Sequence, residues 1–449
     1  MNGWKTRMKI NVIGGGLAGC EAAWQAANAG AQVTLYEMKP EKYSPAHHSQ
    51  NMAELVCSNS LKASRVESAA GLLKEEMRRF HSLLMECADQ TQVPAGGALA
   101  VDRDEFSSLV TRKIKGHENI QVVSREVTEL PLPNAKEPTV VATGPLTSDA
   151  LAEKIAGLCG GSLSFFDAAA PIVTYGSVDL SQAFTQSRYD KGEDDAYLNC
   201  PMNKEQYEAF YQELIRAERA ERLCLLFGDV NNPKVYEGCM PVEVKAQRGT
   251  DTLRFGPLKP VGLRDPRTGH RPWAVVQLRQ ENREKTLYNL VGFQTNLRFP
   301  EQRRGFSMIP ALKNAEFVRY GVMHRNTFID SPRLLRRDFS MKTRPDLFFA
   351  GQLTGLEGYL AAMFSGLLAG KNAVRRCQGR ETLVLPRETM MGALSHYISD
   401  ESVKDFQPMG ANFGILPPLQ EPIRDKRRRY GALSERSLER IEKIINSGV

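Results

Sequence analysis

The residues best suited to chemistry come early in this sequence. Gly14, Gly16 and Gly19, with Gly15, Leu17 and Ala18 between them, form Gly-x-Gly-x-x-Gly. A short apolar run, Lys9-Ile10-Asn11-Val12-Ile13, leads into it, and an Ala-rich stretch follows. The pattern points to phosphate chemistry. Gly14 makes a tight turn, Gly16 lets the backbone approach a pyrophosphate, and Gly19 lets helix and strand pack closely. The helix start offers unpaired N–H groups and the positive end of a dipole. A second run, Gln32-Val33-Thr34-Leu35-Tyr36, delivers Glu37, an acid placed to accept the ribose hydroxyls of an adenine dinucleotide. Glu37 and the neighbouring Lys39 are expected to bind the cofactor together with residues 14–19. The other reactive groups are eight cysteines, scattered without a CxxC, so neither zinc nor a disulfide framework is indicated and no metal is expected. Cys57 lies among small polar residues in Leu55-Val56-Cys57-Ser58-Asn59-Ser60. Spacing alone leaves its role open, with buried packing as the default. His47 and His48 lack a partner set and read as a polar loop.

These groups need elements to hold them. The pattern predicts an amphipathic helix over 69–85, a Gly-punctuated loop leading to a strand that ends at Val101, and a helix with Asp102 as N-cap. Strands follow at 121–124 and 139–145, the second containing Val-Val-Ala-Thr-Gly, as a parallel strand does when it delivers glycine to a dinucleotide crevice. From about residue 180 the character changes. A charged helix over 204–222 and short strands at 237–244, 273–279 and 287–293 read as an inserted domain with an antiparallel sheet. Near residue 330 the chain returns to α/β character: Asp346-Leu347-Phe348-Phe349-Ala350-Gly351-Gln352 is a strand ending in glycine, followed by a helix to Arg376 with small residues on one face. Such a late strand suggests a fold that closes on its own cofactor from both ends of the chain. That favours resident FAD over NAD, and adds Gly351 and Gln352 to its site. The fold class expected is α/β: a discontinuous, Rossmann-like FAD-binding domain, residues 1–180 and 331–449, around an inserted α+β domain, residues 181–330.

Composition sets the bounds. With 449 residues, 42% of them hydrophobic, there is material for two or three domains. No run of 18 apolar residues exists, so no membrane span is expected. The first residues lack the apolar segment of a signal peptide, and free cysteines suit a reducing compartment, so a cytoplasmic protein is expected. The net charge of +7 is a mild bias toward anionic partners. Arg303-Arg304, the group Arg333, Arg336 and Arg337, and the basic run from Arg424 to Arg429 are either solvated charge or phosphate contacts. A terminal helix is expected from Ser434 onward.

Several segments carry a more specific signal: the fingerprint followed by Glu21-Ala22-Ala23-Trp24, Glu54-Leu55-Val56-Cys57-Ser58-Asn59-Ser60, Gly71-Leu72-Leu73-Lys74-Glu75-Glu76-Met77, Val93-Pro94-Ala95-Gly96-Gly97-Ala98, Asn199-Cys200-Pro201-Met202, Glu237-Gly238-Cys239-Met240-Pro241, and Arg319-Tyr320-Gly321-Val322-Met323-His324-Arg325-Asn326-Thr327. In this order the chain resembles the bacterial folate- and FAD-dependent tRNA (uracil-5-)-methyltransferase family, TrmFO, over nearly its whole length. The resemblance implies formation of 5-methyluridine at position 54 of the tRNA T-loop. It implies 5,10-methylenetetrahydrofolate as one-carbon donor, passage of that unit through FAD, and electrons from NADH or NADPH. It also implies roles for two cysteines. Cys239 looks like the nucleophile that adds to C6 of uracil, a step for which a thiolate is suited. Gly238 leaves it room and Pro241 limits backbone freedom. A free thiol has a pKa of about 8.5, so a lowered value is expected at Cys239. Cys57 is placed near the flavin, as base for the C5 proton or as a shielding thiol. Cys20, Cys87, Cys159, Cys224 and Cys377 keep the packing role. One departure stands out: Ala361-Ala362 replaces the Glu-Ser pair expected at the start of the late helix. Three other readings stay open: the same chemistry on ribosomal RNA, a small-molecule flavin oxidoreductase, and a non-catalytic flavin-bound RNA-binding protein.

Overall fold

Five short apolar strands lie side by side in the order Leu347–Phe349, Thr139–Val141, Lys9–Ile13, Gln32–Glu37 and Ile120–Ser124, every pair parallel. Leu347–Phe349 and Thr139–Val141 are buried throughout, as strands covered on both faces are, whereas burial alternates along Gln32–Glu37 and the edge strand Ile120–Ser124 buries only Ile120. The computed structural model describes residues 8–161, 163–190, 197–220, 240–404 and 406–448. Register puts Ile13 opposite both Tyr36 and Val141, so the strands end along one edge. The outermost strand comes from far downstream and completes the sheet. The Leu17–Asn28 helix packs against the Tyr359–Cys377 helix, and the small residues of the latter set the distance. A Cβ on Gly366 would meet the Ala18 carbonyl oxygen at 2.0 Å, and one on Gly370 the Ala22 oxygen at 2.4 Å.

The helix expected over 69–85 is two helices, Ala69–Arg79 and Leu83–Gln90. His81 between them adopts φ +56°, and the Ser82 hydroxyl caps the second by accepting from the Met85 N–H. The cause is remote in sequence: buried Glu21 accepts from the Ser82 hydroxyl at 2.8 Å, from Leu84 N at 3.0 Å and from Leu83 N at 3.3 Å. Two other boundaries shift as well. The helix expected over 204–222 ends at Arg216. The terminal helix begins at Lys426, eight residues before Ser434, because the Asp425 carboxylate caps it by accepting from Arg428 N. Asp102 is an N-cap, accepting from Asp104 N and Glu105 N.

The antiparallel sheet has six strands, in the order Phe184–Thr185, Tyr197–Met202, Ala274–Gln280, Leu287–Leu290, Ile172–Thr174 and Phe317–Arg319. Its own apolar core includes Phe210, Phe293 and Phe306. A separate antiparallel pair, Leu163–Ala168 with Met323–Phe328, flanks this region in sequence. The strand expected over 237–244 is not formed where it is described: Val242–Ala246 is helical, started by Pro241. The alternation of Val242, Glu243 and Val244 misleads because Glu243 is itself buried, accepting from the Thr295 hydroxyl and Asn296 N at 2.8 Å each.

A buried carboxylate also ties the C-terminal region down. Glu76 accepts from Met390 N at 2.7 Å, Met391 N at 2.8 Å and the Ser437 hydroxyl. Burial pushes its carboxyl up to about 7 despite those bonds. The folded state therefore binds the proton more tightly than the unfolded chain, so this group's contribution is greatest at low pH and is lost as pH rises from about 4.5 through 7. The pH dependence of thermal melting across that window is expected to flatten in Glu76→Gln, by on the order of 3 kcal/mol. An unchanged slope would show that Glu76 is not its source.

Candidate active site

The C-terminal ends of the parallel strands open on a cavity of about 530 Å³. Gly14, Gly15, Gly16, Leu17, Ala18, Glu37, Lys39, Cys57, Gly351 and Gln352 all line it. Gly14 has φ +102°, and a Cβ on Gly19 would stand 1.7 Å from the Gly14 oxygen, so the turn and the helix behind it meet backbone to backbone. Gly16 precedes the first helical residue, and a Cβ there would meet nothing within 4 Å. A second helix starts on the same cavity after Gly358, with Tyr359, Leu360, Ala361 and Ala362 in the wall. Neither helix start is capped by a side chain. Their free N–H groups and dipoles favour negative charge. At Ala361-Ala362 the wall is methyl groups, and the polarity there comes from the backbone.

Glu37 stands between the glycine loop and its own strand end, its two oxygens accepting from Gly15 N at 2.7 Å and Lys39 N at 2.9 Å. The Lys39 ammonium is committed elsewhere. It donates to the carbonyls of Ser49, at 3.1 Å, and Asn51, and lies 3.5 Å from the Glu54 carboxylate. Gly351, at φ +81°, donates to the Ser365 hydroxyl at 2.7 Å, and Gln352 Nε2 donates to Glu357 at 2.7 Å. His47 pairs with the Ser44 hydroxyl.

Cys57 belongs to a loop gripped residue by residue. The Tyr359 hydroxyl accepts from Cys57 N at 2.7 Å and Ser58 N at 3.1 Å. Arg103 donates to the Leu55 carbonyl at 3.0 Å, and Arg319 to the Val56 carbonyl at 2.8 Å. Arg279 donates to the Ser58 hydroxyl at 2.8 Å and to Asn59 Oδ1 at 3.0 Å. Burial pushes the Tyr359 phenol up, and Cys57 beside it adds to the effect. Burial pulls the Arg319 guanidinium down, and the Arg103 cation adds to that. Sequence reading missed these holders. One available signal was Arg279, the cation in a strand that is apolar apart from it, Gln277 and Gln280, and whose every residue is buried.

Gly238, Cys239 and Cys224 lie outside the described residues. The chain just beyond Cys239 is tied to the cavity: Val242 N donates to the Gln294 carbonyl at 2.7 Å, and Gln294 is in the wall. The remaining thiols are poor nucleophiles. Burial pushes Cys159 up to about 11 and Cys87 and Cys200 to about 12, and raises Cys20 and Cys377. Among the described residues no three of His, Cys, Asp or Glu gather closely enough to hold a metal ion.

A family model, glucose inhibited division protein A, matches residues 9–381. The methylenetetrahydrofolate–tRNA-(uracil-5-)-methyltransferase TrmFO of Acetivibrio thermocellus is 58% identical over 438 residues, 97% of this chain and 98% of that protein. The protein of the same name from Ligilactobacillus salivarius is equally similar, 58% over 97% and 98%. The chain belongs to the TrmFO family.

The similarity to the TrmFO relatives runs along nearly the whole chain, and so includes both the early and the late residues that line the cavity. Among solved structures, GidA of Aquifex aeolicus covers 98% of this chain with 76% of its own, at a TM-score of 0.67 and 17% identity, and so shares the fold. Among the described residues no helix is long and apolar enough to cross a membrane.

Proposed function

We propose that the protein methylates C5 of a uridine in tRNA, at position 54 of the T-loop, with 5,10-methylenetetrahydrofolate as one-carbon donor, FAD in the cavity, and NADH or NADPH as reductant. The observation that carries this reading is 58% identity along 97% of the chain to relatives named for that reaction. The lining residues suit FAD. A glycine turn that is crowded at Gly14 and open to the cavity at Gly16, two uncapped helix starts and the Glu37 carboxylate at the strand end make a receptor for a pyrophosphate and a ribose. When bound, FAD supplies transfer and reduction of the one-carbon unit. The division into FAD-binding parts on either side of an insert is part of this reading; the pairing of residues 163–168 with 323–328, and the place of Ile172–Thr174 in the same sheet as strands from 184–319, support an insert that starts before residue 181.

The chain's own groups do the rest. C5 of uracil is a weak nucleophile. Addition of the Cys239 thiolate at C6 forms an S–C6 bond and places the electron pair of the C5–C6 double bond on C5 and the C4 oxygen. C5 then bonds the one-carbon unit as an electron pair of that unit's bond to its carrier nitrogen returns to the nitrogen, and the unit's last bond to nitrogen would be replaced by a hydride whose electrons come from NADH or NADPH. Cys57, in the cavity wall, takes the C5 proton; the double bond reforms and the thiolate leaves. The uridine must come out of its stack to reach the cavity.

The test uses purified protein, an unmodified tRNA transcript, NADPH and methylenetetrahydrofolate labelled in its methylene carbon. Label in 5-methyluridine is expected, lost when either folate or reductant is omitted. A folded yellow protein that leaves tRNA unlabelled, while labelling a ribosomal RNA transcript or nothing, would overturn the reading.

A further inference from the structure

Away from the cavity, three aromatic rings form a column. Phe317 and Tyr320 stack with centroids 5.5 Å apart and planes 13° from parallel; Tyr320 and Phe299 follow at 4.8 Å and 16°. The inner end rests on the core through Phe306, 6.3 Å from Phe317. The outer end is open: Phe299 is 52% exposed. An open groove beside it is lined by Phe299, Pro300, Arg303, Arg304, Ser307 and Tyr320.

We propose that the outer face of Phe299 stacks an unpaired nucleobase of the substrate RNA, with Arg303 on the adjoining phosphate. This rests on the RNA-methylating reading above and adds to it a contact outside the reaction cavity. Three observations support it. A near-parallel column ending in a free ring is completed by one more flat ring, and every base has a π-face. The charge fits an anion carrying that ring. Arg304 pairs with Glu213 and Glu301, and Arg298 with Glu218, whereas Arg303 has no carboxylate partner among the described residues. The column is also fixed to the cavity. Arg319, between Phe317 and Tyr320 in sequence, donates to the Val56 carbonyl next to Cys57. Gly321, after Tyr320, lies so close to Ala169 that a Cβ would meet its carbonyl oxygen at 2.8 Å, and Ala169 is in the cavity wall. An RNA with one nucleotide in the cavity thus passes a platform rigidly joined to that cavity. Basic groups and stacking rings together are the means by which proteins hold unpaired RNA.

The experiment measures the Kd of full-length protein for an unmodified tRNA transcript at several salt concentrations. Phe299→Ala is expected to weaken binding roughly 5- to 100-fold, and Phe299→Trp to restore it. Arg303→Ala is expected to lower the salt slope by about one. In a scan of single abasic nucleotides across the loop, one position should match the loss of Phe299→Ala and add nothing to it. Unchanged melting and unchanged yellow cofactor content certify the variants. Wild-type affinity in Phe299→Ala, with product still formed by wild type, overturns this inference alone. Self-association of the wild type that is lost in Phe299→Ala, with unchanged RNA affinity, makes the face a contact between copies and also overturns it. A wild-type protein that neither binds tRNA nor forms product overturns both readings.

Discussion

Cys239→Ala protein, yellow and folded, is expected to leave tRNA unlabelled, with product formation down at least about 10³-fold, roughly 4 kcal/mol of barrier. The size follows from the chemistry. Without addition at C6, C5 never carries the electron pair that must bond the one-carbon unit, and alanine offers nothing in place of sulfur. The burial-raised pKa values of Cys20, Cys87 and Cys200 make them poor substitutes. Cys57→Ala is expected to fail at a different step, with a loss of about 10²- to 10⁴-fold. With the roles proposed above it retains the nucleophile and lacks the base, so the S–C6 bond is expected to form and persist. Electrophoresis under denaturing conditions separates the two cases. A protein–RNA band should accumulate with Cys57→Ala and be missing with Cys239→Ala. The reverse pattern would make Cys57 the nucleophile and remove Cys239 from that role. Val242, three residues past Cys239, hydrogen-bonds the cavity-lining Gln294.

What the sequence disclosed was local. The glycine turn, the acid ending the second strand and the Phe348-Phe349-Ala350-Gly351 strand are short patterns whose meaning depends on their neighbours. The small residues of the late helix were legible for the same reason, because Gly366 and Gly370 lie one turn apart on one face. The errors arose where a distant group decided. His81 breaks a well-patterned helix because Glu21, sixty residues away, accepts the N–H groups of a new helix start. Val242–Ala246 is helical where a buried Glu243 accepts from the Thr295 hydroxyl and Asn296 N, which no periodicity foretells. The site divides in the same way. Its glycines could be read, but the grip on the Cys57 loop joins residues more than 200 positions apart, as from Arg279 to Ser58 and from Arg319 to Val56.

Arg103 shows what that grip does, because its structural and positioning roles can be separated. Its Nη2 donates to Glu281 Oε1 at 3.2 Å, and its Nε lies 2.7 Å from Oε2 in an ion pair too poorly aligned for a hydrogen bond. The two side chains are only 13% and 3% exposed. Burial alone would pull the Arg103 guanidinium down, yet Glu281 holds its pKa raised, so the charge is permanent. Arg103→Met strands the Glu281 carboxylate in a dry site and is expected to cost about 3–5 kcal/mol, read as a large drop in melting temperature. Glu281→Met strands the cation and is expected to cost a similar amount. The double variant removes both charges and should recover most of the loss, because a buried pair contributes little net stability over apolar groups of its size. Product formation should not recover with it. The Leu55 carbonyl has still lost its donor, two residues before Cys57, so kcat of the stable double variant is expected to stay about 10- to 100-fold low, as small displacements of a reacting group do. A double variant with both stability and rate restored would reduce Arg103 to a packing role; restored stability with a slow rate assigns it the positioning of Cys57.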